Sequence, residues 1–256
     1  MSAGPGSSKV ACPLIEYPAQ AAFEKVLPKN KIYAHAKPTR KLQQRFTDEV
    51  AKIVWQFKLA PETIRVPAHR GVEEIQIFRV MLKDAAEDEF TLDVLRWIDK
   101  ASPSPIIFEV FAKDRVRVAA AYKRDSESDP SKQVIGEYFL SPWLPAVTPR
   151  APMPVALDLF ALYSSLLRRL MPYPPRTGET LRAHAERLGR IQSLDKERAK
   201  LEARLGREKQ FNRKVELNAE LRDLQGQLDE LAADNHTQPR PQPDARPDPT
   251  AAGRTP

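Results

Sequence analysis

The side chains that come nearest to a metal-dependent nuclease pattern are Glu73, Glu74, Asp84, Glu109 and Lys113. Such a site gathers two carboxylates and a lysine at adjoining strand ends, where they hold Mg²⁺ and activate a water. Here Glu109 and Lys113 are four residues apart. On a strand they share a face but lie about 13 Å apart along it, too far for one metal-bound water. Glu109 is therefore expected to pair across a sheet with Arg117 or Lys123. The four histidines, His35, His69, His184 and His236, have no zinc spacing with one another or with Cys12. Cys12 has no neighbouring histidine to activate it, and nine scattered glycines form no phosphate loop. No catalytic residue, metal site or cofactor is assigned.

Positive charge offers binding chemistry instead. Lys25, Lys29, Lys31, Lys37, Arg40, Lys41 and Arg45 fall within 21 residues, with Tyr33 and His35 among them. Clustered cations neutralise phosphates and make affinity salt-dependent. Lys29, Lys31, Lys37, Arg40, Lys41 and Arg45 are accordingly the candidate nucleic-acid contacts. A second set, Lys196, Arg198, Lys200, Arg204, Arg207, Lys209, Arg213 and Lys214, has acids close by and reads as a solvated helix face. Tyr33 and Trp55 have rings that could stack on bases, although a core role suits both better. Trp143, between Pro142 and Leu144, is expected to pin its loop to the core.

Composition narrows the class. The 256 residues carry 41 Lys plus Arg against 34 Asp plus Glu, a mild +7. One cysteine excludes an intramolecular disulfide and a multi-cysteine metal site. No run of 18 apolar residues exists. The start has neither a basic nor an apolar signal region, so the expectation is a soluble cytoplasmic protein.

Proline marks the organisation. It is spread through residues 1–175 and then absent from Arg176 to Gln238. Four segments are expected: a flexible leader at 1–20, an α+β domain at 21–175, a helical coiled-coil-like extension at 176–234 and a disordered tail at 235–256. Within the domain, Leu42, Phe46, Val50, Ile53, Val54 and Phe57 recur at helical spacing, which predicts one helix from Thr39 to about Lys58. Thr63–Val66 is expected to be a short strand. Glu73–Lys83 is apolar on both faces and predicts a strand covered on both sides. A helix follows from Glu87 to about Ala101. The strand–helix–strand unit over 73–112 predicts parallel neighbours. Ile106–Ala112 and Val116–Tyr122 form a hairpin, Gln133–Leu140 another strand, and Pro154–Leu170 a second amphipathic helix. The fold class is thus α+β, a mixed β-sheet with packed helices, followed by a C-terminal helical hairpin or coiled coil.

In the extension, Leu217, Leu221, Leu224, Leu228 and Leu231 alternate four and three apart, a heptad seam. They are the candidate partner-binding residues. Residues 181–214 hold eleven basic and five acidic side chains, and residues 215–234 one basic and six acidic. Opposite charge favours either an antiparallel hairpin or head-to-tail pairing of two copies.

Leu27-Pro28-Lys29-Asn30-Lys31-Ile32-Tyr33, the 73–123 strand–helix–hairpin, Ser141-Pro142-Trp143 and the run Lys209–Leu217 together resemble a bacterial family, the domain-of-unknown-function family 4391. The resemblance covers about residues 20–232 and carries no catalytic residue. It implies a setting beside SNF2-type or restriction-type helicases and DNA methyltransferases. The expected function is a non-enzymatic accessory or assembly subunit of a DNA restriction or phage-defence type system, docking on a helicase or methyltransferase or on a second copy of itself. The alternative is a DNA-binding module or, further off, a metal-dependent nuclease. No membrane partner is expected.

Overall fold

A computed structural model describes residues 12–28, 39–83, 90–129 and 133–233. Tyr33, Lys29, Lys31, Lys37, Asp84 and the 235–256 tail lie outside the described residues. A seven-stranded mixed sheet forms the middle layer. Its strands are β2 (Ala22–Val26), β3 (Val50–Leu59), β4 (Ile75–Leu82), β5 (Ile106–Ala112), β6 (Arg115–Asp125) and β7 (Gln133–Leu140), in that spatial order, with β8 (Leu144–Pro145) also pairing with β6. The pair β4–β5 is parallel and all the other pairings in this sheet are antiparallel. A separate parallel pair joins β1 (Ile15–Glu16) to β9 (Ala151–Pro152).

Among the described residues, six α-helices accompany the strands: α1 (Arg40–Glu49), the single turn α2 (Pro61–Ile64), α3 (Leu92–Lys100), α4 (Leu159–Arg168), α5 (Leu181–Arg207) and α6 (Phe211–Ala232). Side chains alternate across the sheet. Phe78, Val80 and Leu82 of β4 join Phe108 and Val110 of β5 under α1 and α3, with Phe46 and Trp97 meeting edge to face. Ile75, Ile77, Ile107, Val118 and Phe139 point the other way, onto α4 and α5. The central strands are therefore covered on both sides, as the apolar run at 73–83 requires.

Three expectations need correction. The helix predicted over 39–58 ends at Glu49, and Val50–Leu59 is β3. This segment is rich in β-branched and aromatic residues, which fit a pleated surface. Register shifts between Val50 and Lys52 and between Trp55 and Phe57 interrupt its pairing with β4. They put Val50, Ile53 and Trp55 on the α1–α3 face and Phe57 and Leu59 on the other. Bulges in a period of two thus imitate a helical stripe. The strand predicted at Thr63–Val66 is instead the turn α2. Pro61 starts it, the Thr63 hydroxyl accepts from Ala60 N and donates to Lys58 O, and Arg65 ends it with a left-handed φ of 57°. The leader expected at 1–20 also contributes core, because Leu14, Ile15 and Tyr17 are buried against the α4 side. Arg150 donates to Ile15 O and Arg169 to Cys12 O, tying this segment down.

The helix expected over Pro154–Leu170 starts at Leu159, where the Asp158 carboxylate caps Ala161 N. Helix α3 begins at Leu92, and the buried Glu49 at the end of α1 accepts from Thr91 N. A carboxylate at a helix start opposes the helix dipole, and this one also fixes α1 against α3.

Helices α5 and α6 form the antiparallel hairpin. Leu217, Leu224 and Leu228 are buried and Leu221 and Leu231 half-buried, in one apolar cluster with Leu188, Ile191, Leu194 and Leu201 of α5. Among the described residues no side-chain ion pair links α5 to α6. Apart from a side-chain hydrogen bond from Arg198 to Gln225, the polar ties run to the backbone. Arg176 donates to the carbonyls of Glu230, Leu231 and Ala233, and Arg187 to that of Leu231. Those cations satisfy the carbonyls left open at the end of α6. Along the sheet edge, Gln192 of α5 donates to Tyr138 O of β7, so the hairpin root covers a strand edge that would otherwise invite pairing.

That root carries a pH dependence. Glu179 receives two hydrogen bonds from Arg187, at 2.8 and 2.9 Å, which with the Arg176 amide hold its carboxyl down at about 2. The buried His184 donates from Nε2 to Tyr173 O, and burial lowers its pKa, with Arg187 and Arg168 acting in the same direction. The unfolded chain therefore takes up a proton at His184 near pH 6.5, where the folded chain does not. Stability from His184 is complete above about pH 6.5 and falls as the pH drops below it. That from Glu179 is lost lower, between the ordinary carboxyl range and about 2. Urea unfolding from pH 7.5 to 5.5 should show a decline that His184→Gln flattens; an equal decline in both proteins would remove His184 as the cause.

Candidate nucleic-acid interface

Lys41 and Arg45 stand one turn apart on α1, and Arg96 and Lys100 one turn apart on α3. The helices run antiparallel, held by Glu49 to Thr91 at one end, so the two rows face each other. Between them lies a cleft of about 310 Å³, lined also by Thr39, Leu42, Asp93 and Trp97. Asp93 is its one carboxylate, 3.7 Å from Arg45 Nη1. Arg96 reaches outward to Glu137 at 3.6 Å. Among the described residues, no carboxylate lies within 4 Å of Lys41 or Lys100. The Thr39 hydroxyl accepts from Leu42 N and fixes the start of α1. The walls are stiff because Phe46 and Trp97 are packed beneath them.

Of the six nucleic-acid candidates read from the sequence, Lys41 and Arg45 line this cleft and Arg40 is exposed on the same helix. Sequence reasoning missed Arg96 and Lys100. Their four-residue spacing on a helix opened by Thr91 was a signal, but nothing in the chain order places α3 beside α1.

The nuclease constellation does not assemble among the described residues. Glu109, 1% exposed, is clamped by Arg150, whose Nη1 and Nη2 donate to its two oxygens at 2.5 and 2.9 Å, and by Arg79 Nε at 3.3 Å. Its expected pairing with Arg117 or Lys123 is thus corrected. Arg117 donates to Ser141 O, and Lys123 pairs with Asp99. Glu74 accepts from Gln76 and Ser104 and faces Lys58 at 3.4 Å. It precedes Arg79, the register partner of Glu109, by five residues, or about 16 Å along the strand. Lys113 is exposed in the two-residue turn between β5 and β6, with a φ of 51°. No group of three His, Cys, Asp or Glu among the described residues could hold a metal.

The aromatic candidates have other work. Trp55 packs between Phe23 and Phe78 and donates to Phe57 O. Trp143 joins the core layer under α1 and α3 and carries Arg115 and Arg117 over its ring, 5.6 and 4.9 Å from the centroid. The five candidate partner-binding leucines face α5, so their seam is already filled.

A family model for a domain of unknown function, DUF4391, matches residues 15–228. The chain belongs to this family. No curated protein and no solved structure matches it. The span matched by DUF4391 includes β1 and most of α6, so the buried start and the hairpin are both parts of the family's unit. No helix among the described residues of this DUF4391 chain is long and apolar enough to cross a membrane.

Proposed function

We propose that the chain is a nucleic-acid-contacting accessory protein, with the α1–α3 cleft as its phosphate-binding surface. The observation that carries this reading is the convergence of Lys41, Arg45 and Lys100 on one cleft that holds a single carboxylate, with Arg96 in its wall turned outward to Glu137. Phosphates passing such rows release counterions, which gives affinity without base specificity. Two features favour a contact role over a cutting one: Glu109 has both oxygens engaged by arginines, and Glu74 sits about five residues of strand away. A groove that binds DNA while leaving the chemistry to another subunit suits docking on a helicase or methyltransferase of a restriction or phage-defence type system. The DNA-contacting role ranks first because the leucine seam, the expected docking handle, is used up inside the chain.

The test is fluorescence anisotropy with a labelled duplex across a salt series. Affinity should fall steeply with salt, and Lys41→Gln/Arg45→Gln/Lys100→Gln should reduce the log–log slope by about 2–3, near 0.9 per lost phosphate contact. A triple variant with the parent's slope and affinity would defeat the assignment. Docking is tested separately, by recovering a helicase or methyltransferase on the tagged full chain from its native cells.

A further inference from the structure

The far end of the α5–α6 hairpin was not expected to be a site. The last polar contact between α5 and the sheet is Lys196 with Glu137, at 3.4 Å. Beyond it α5 continues for eleven residues to Arg207, about 16 Å at the helical rise. Over that length its described polar contacts are only within α5 and with α6, such as Arg198 to Gln225. The arm thus projects from the body on a narrow seam closed by Leu201 and Leu217. Its tip exposes Phe211 (78%) and Val215 (53%) to water. Around them stand Arg204, Arg207, Lys209, Arg213 and Lys214, drawn from the end of α5, the link and the start of α6.

The acids nearby are spent locally. Glu208 accepts from the amides of Lys209 and Gln210, and Glu216 pairs with Arg213. Among the described residues no carboxylate lies within 4 Å of Arg204, Arg207, Lys209 or Lys214. A large aromatic left wet on the first residue of a helix, ringed by four cations with no carboxylate within 4 Å, matches what a stacking platform with phosphate contacts requires.

We propose that this tip is a second nucleic-acid contact, specific for unpaired strands, in which Phe211 stacks on one base while Arg204, Arg207, Lys209 and Lys214 take the flanking phosphates. A duplex hides its base faces and offers the tip only phosphates, so the single strand is the ligand for which Phe211 matters. The site is independent of the α1–α3 cleft. It belongs to the helices packed on the opposite face of the sheet.

The experiment uses the full chain with a labelled 20-nucleotide oligothymidylate and, in parallel, a duplex. Phe211→Ala removes mostly exposed surface, so the circular dichroism should match the parent. It should weaken the single-strand complex by about fivefold to a hundredfold, the range measured when one stacked base is lost, and shift the duplex affinity by less than about twofold. Phe211→Trp should keep the single-strand affinity, and its added emission should be quenched on binding. If Phe211→Ala binds the oligonucleotide as the parent does, the proposal is wrong. It is equally wrong if Phe211→Ala changes the mass in solution instead, because the tip would then join two copies. Failure of the cleft variants on duplex with a Phe211 effect intact would overturn the cleft reading and leave the tip standing.

Discussion

Lys123→Met is expected to cost about 3–5 kcal/mol of stability, the loss seen when one partner of a buried ion pair is removed. Lys123 and Asp99 are each 1% exposed at the side chain, with Nζ 2.5 Å from Oδ1. The ammonium also donates to the carbonyls of Asp99, Ser102 and Ser104, at 2.7, 2.8 and 2.9 Å. These carbonyls belong to the end of α3 and the turn leading into β5, so one lysine closes a helix terminus from inside the sheet. Burial pushes the Asp99 carboxyl up and the Lys123 ammonium down, and each offsets this in the other. Tyr138 donates to the second Asp99 oxygen at 2.7 Å. Methionine fills similar volume but leaves three carbonyls without their donor and a buried carboxylate without its counter-charge. Adding Asp99→Asn removes the stranded charge, so the double variant should be more stable than the sum of the single losses predicts. Urea denaturation of the four proteins measures both quantities. A loss under about 1 kcal/mol for Lys123→Met would show that water reaches this site.

Leu217→Ala should cost about 2–5 kcal/mol, but locally. Among the five seam leucines, Leu217 is 1% exposed and sits nearest the projecting end, where α6 packs on α5. The methylenes lost there cannot be replaced by the sheet. Hydrogen exchange of the α6 amides should quicken roughly thirtyfold or more, at 1.4 kcal/mol per factor of ten. Amides of β5, covered on both faces, should keep their protection. Leu217→Met should cost under about 1.5 kcal/mol because volume is nearly conserved. Equal acceleration in β5 and α6 would mean that hairpin and sheet open as one unit. If Leu217→Ala also leaves the duplex salt slope unchanged, the seam serves the fold of the arm, separately from the α1–α3 cleft.

What the order of residues determined by itself was local and periodic. Two β-rich runs joined by Lys113-Asp114-Arg115 specified the β5–β6 hairpin, and the four-and-three spacing from Leu217 to Leu231 specified a helix with one apolar side. An apolar run followed by an amphipathic helix and another run implied the parallel β4–β5 pair. The tertiary structure decided everything that depends on which faces meet. The register shifts in β3 turn a strand into something that reads as helix, because the bulges answer to β4 rather than to their own neighbours. Lys123 meets Asp99, and Glu109 meets Arg150, across 24 and 41 residues; a charge finds its partner through the sheet, and sequence distance carries no trace of it. Lys41 and Arg45 were legible as cations, but their cleft exists only because Glu49 and Phe46 pin α1 against α3. The leucine seam was legible too. That its partner is α5 of the same chain was settled by the short link between the helices and by two arginines that fasten the end of α6 to the body.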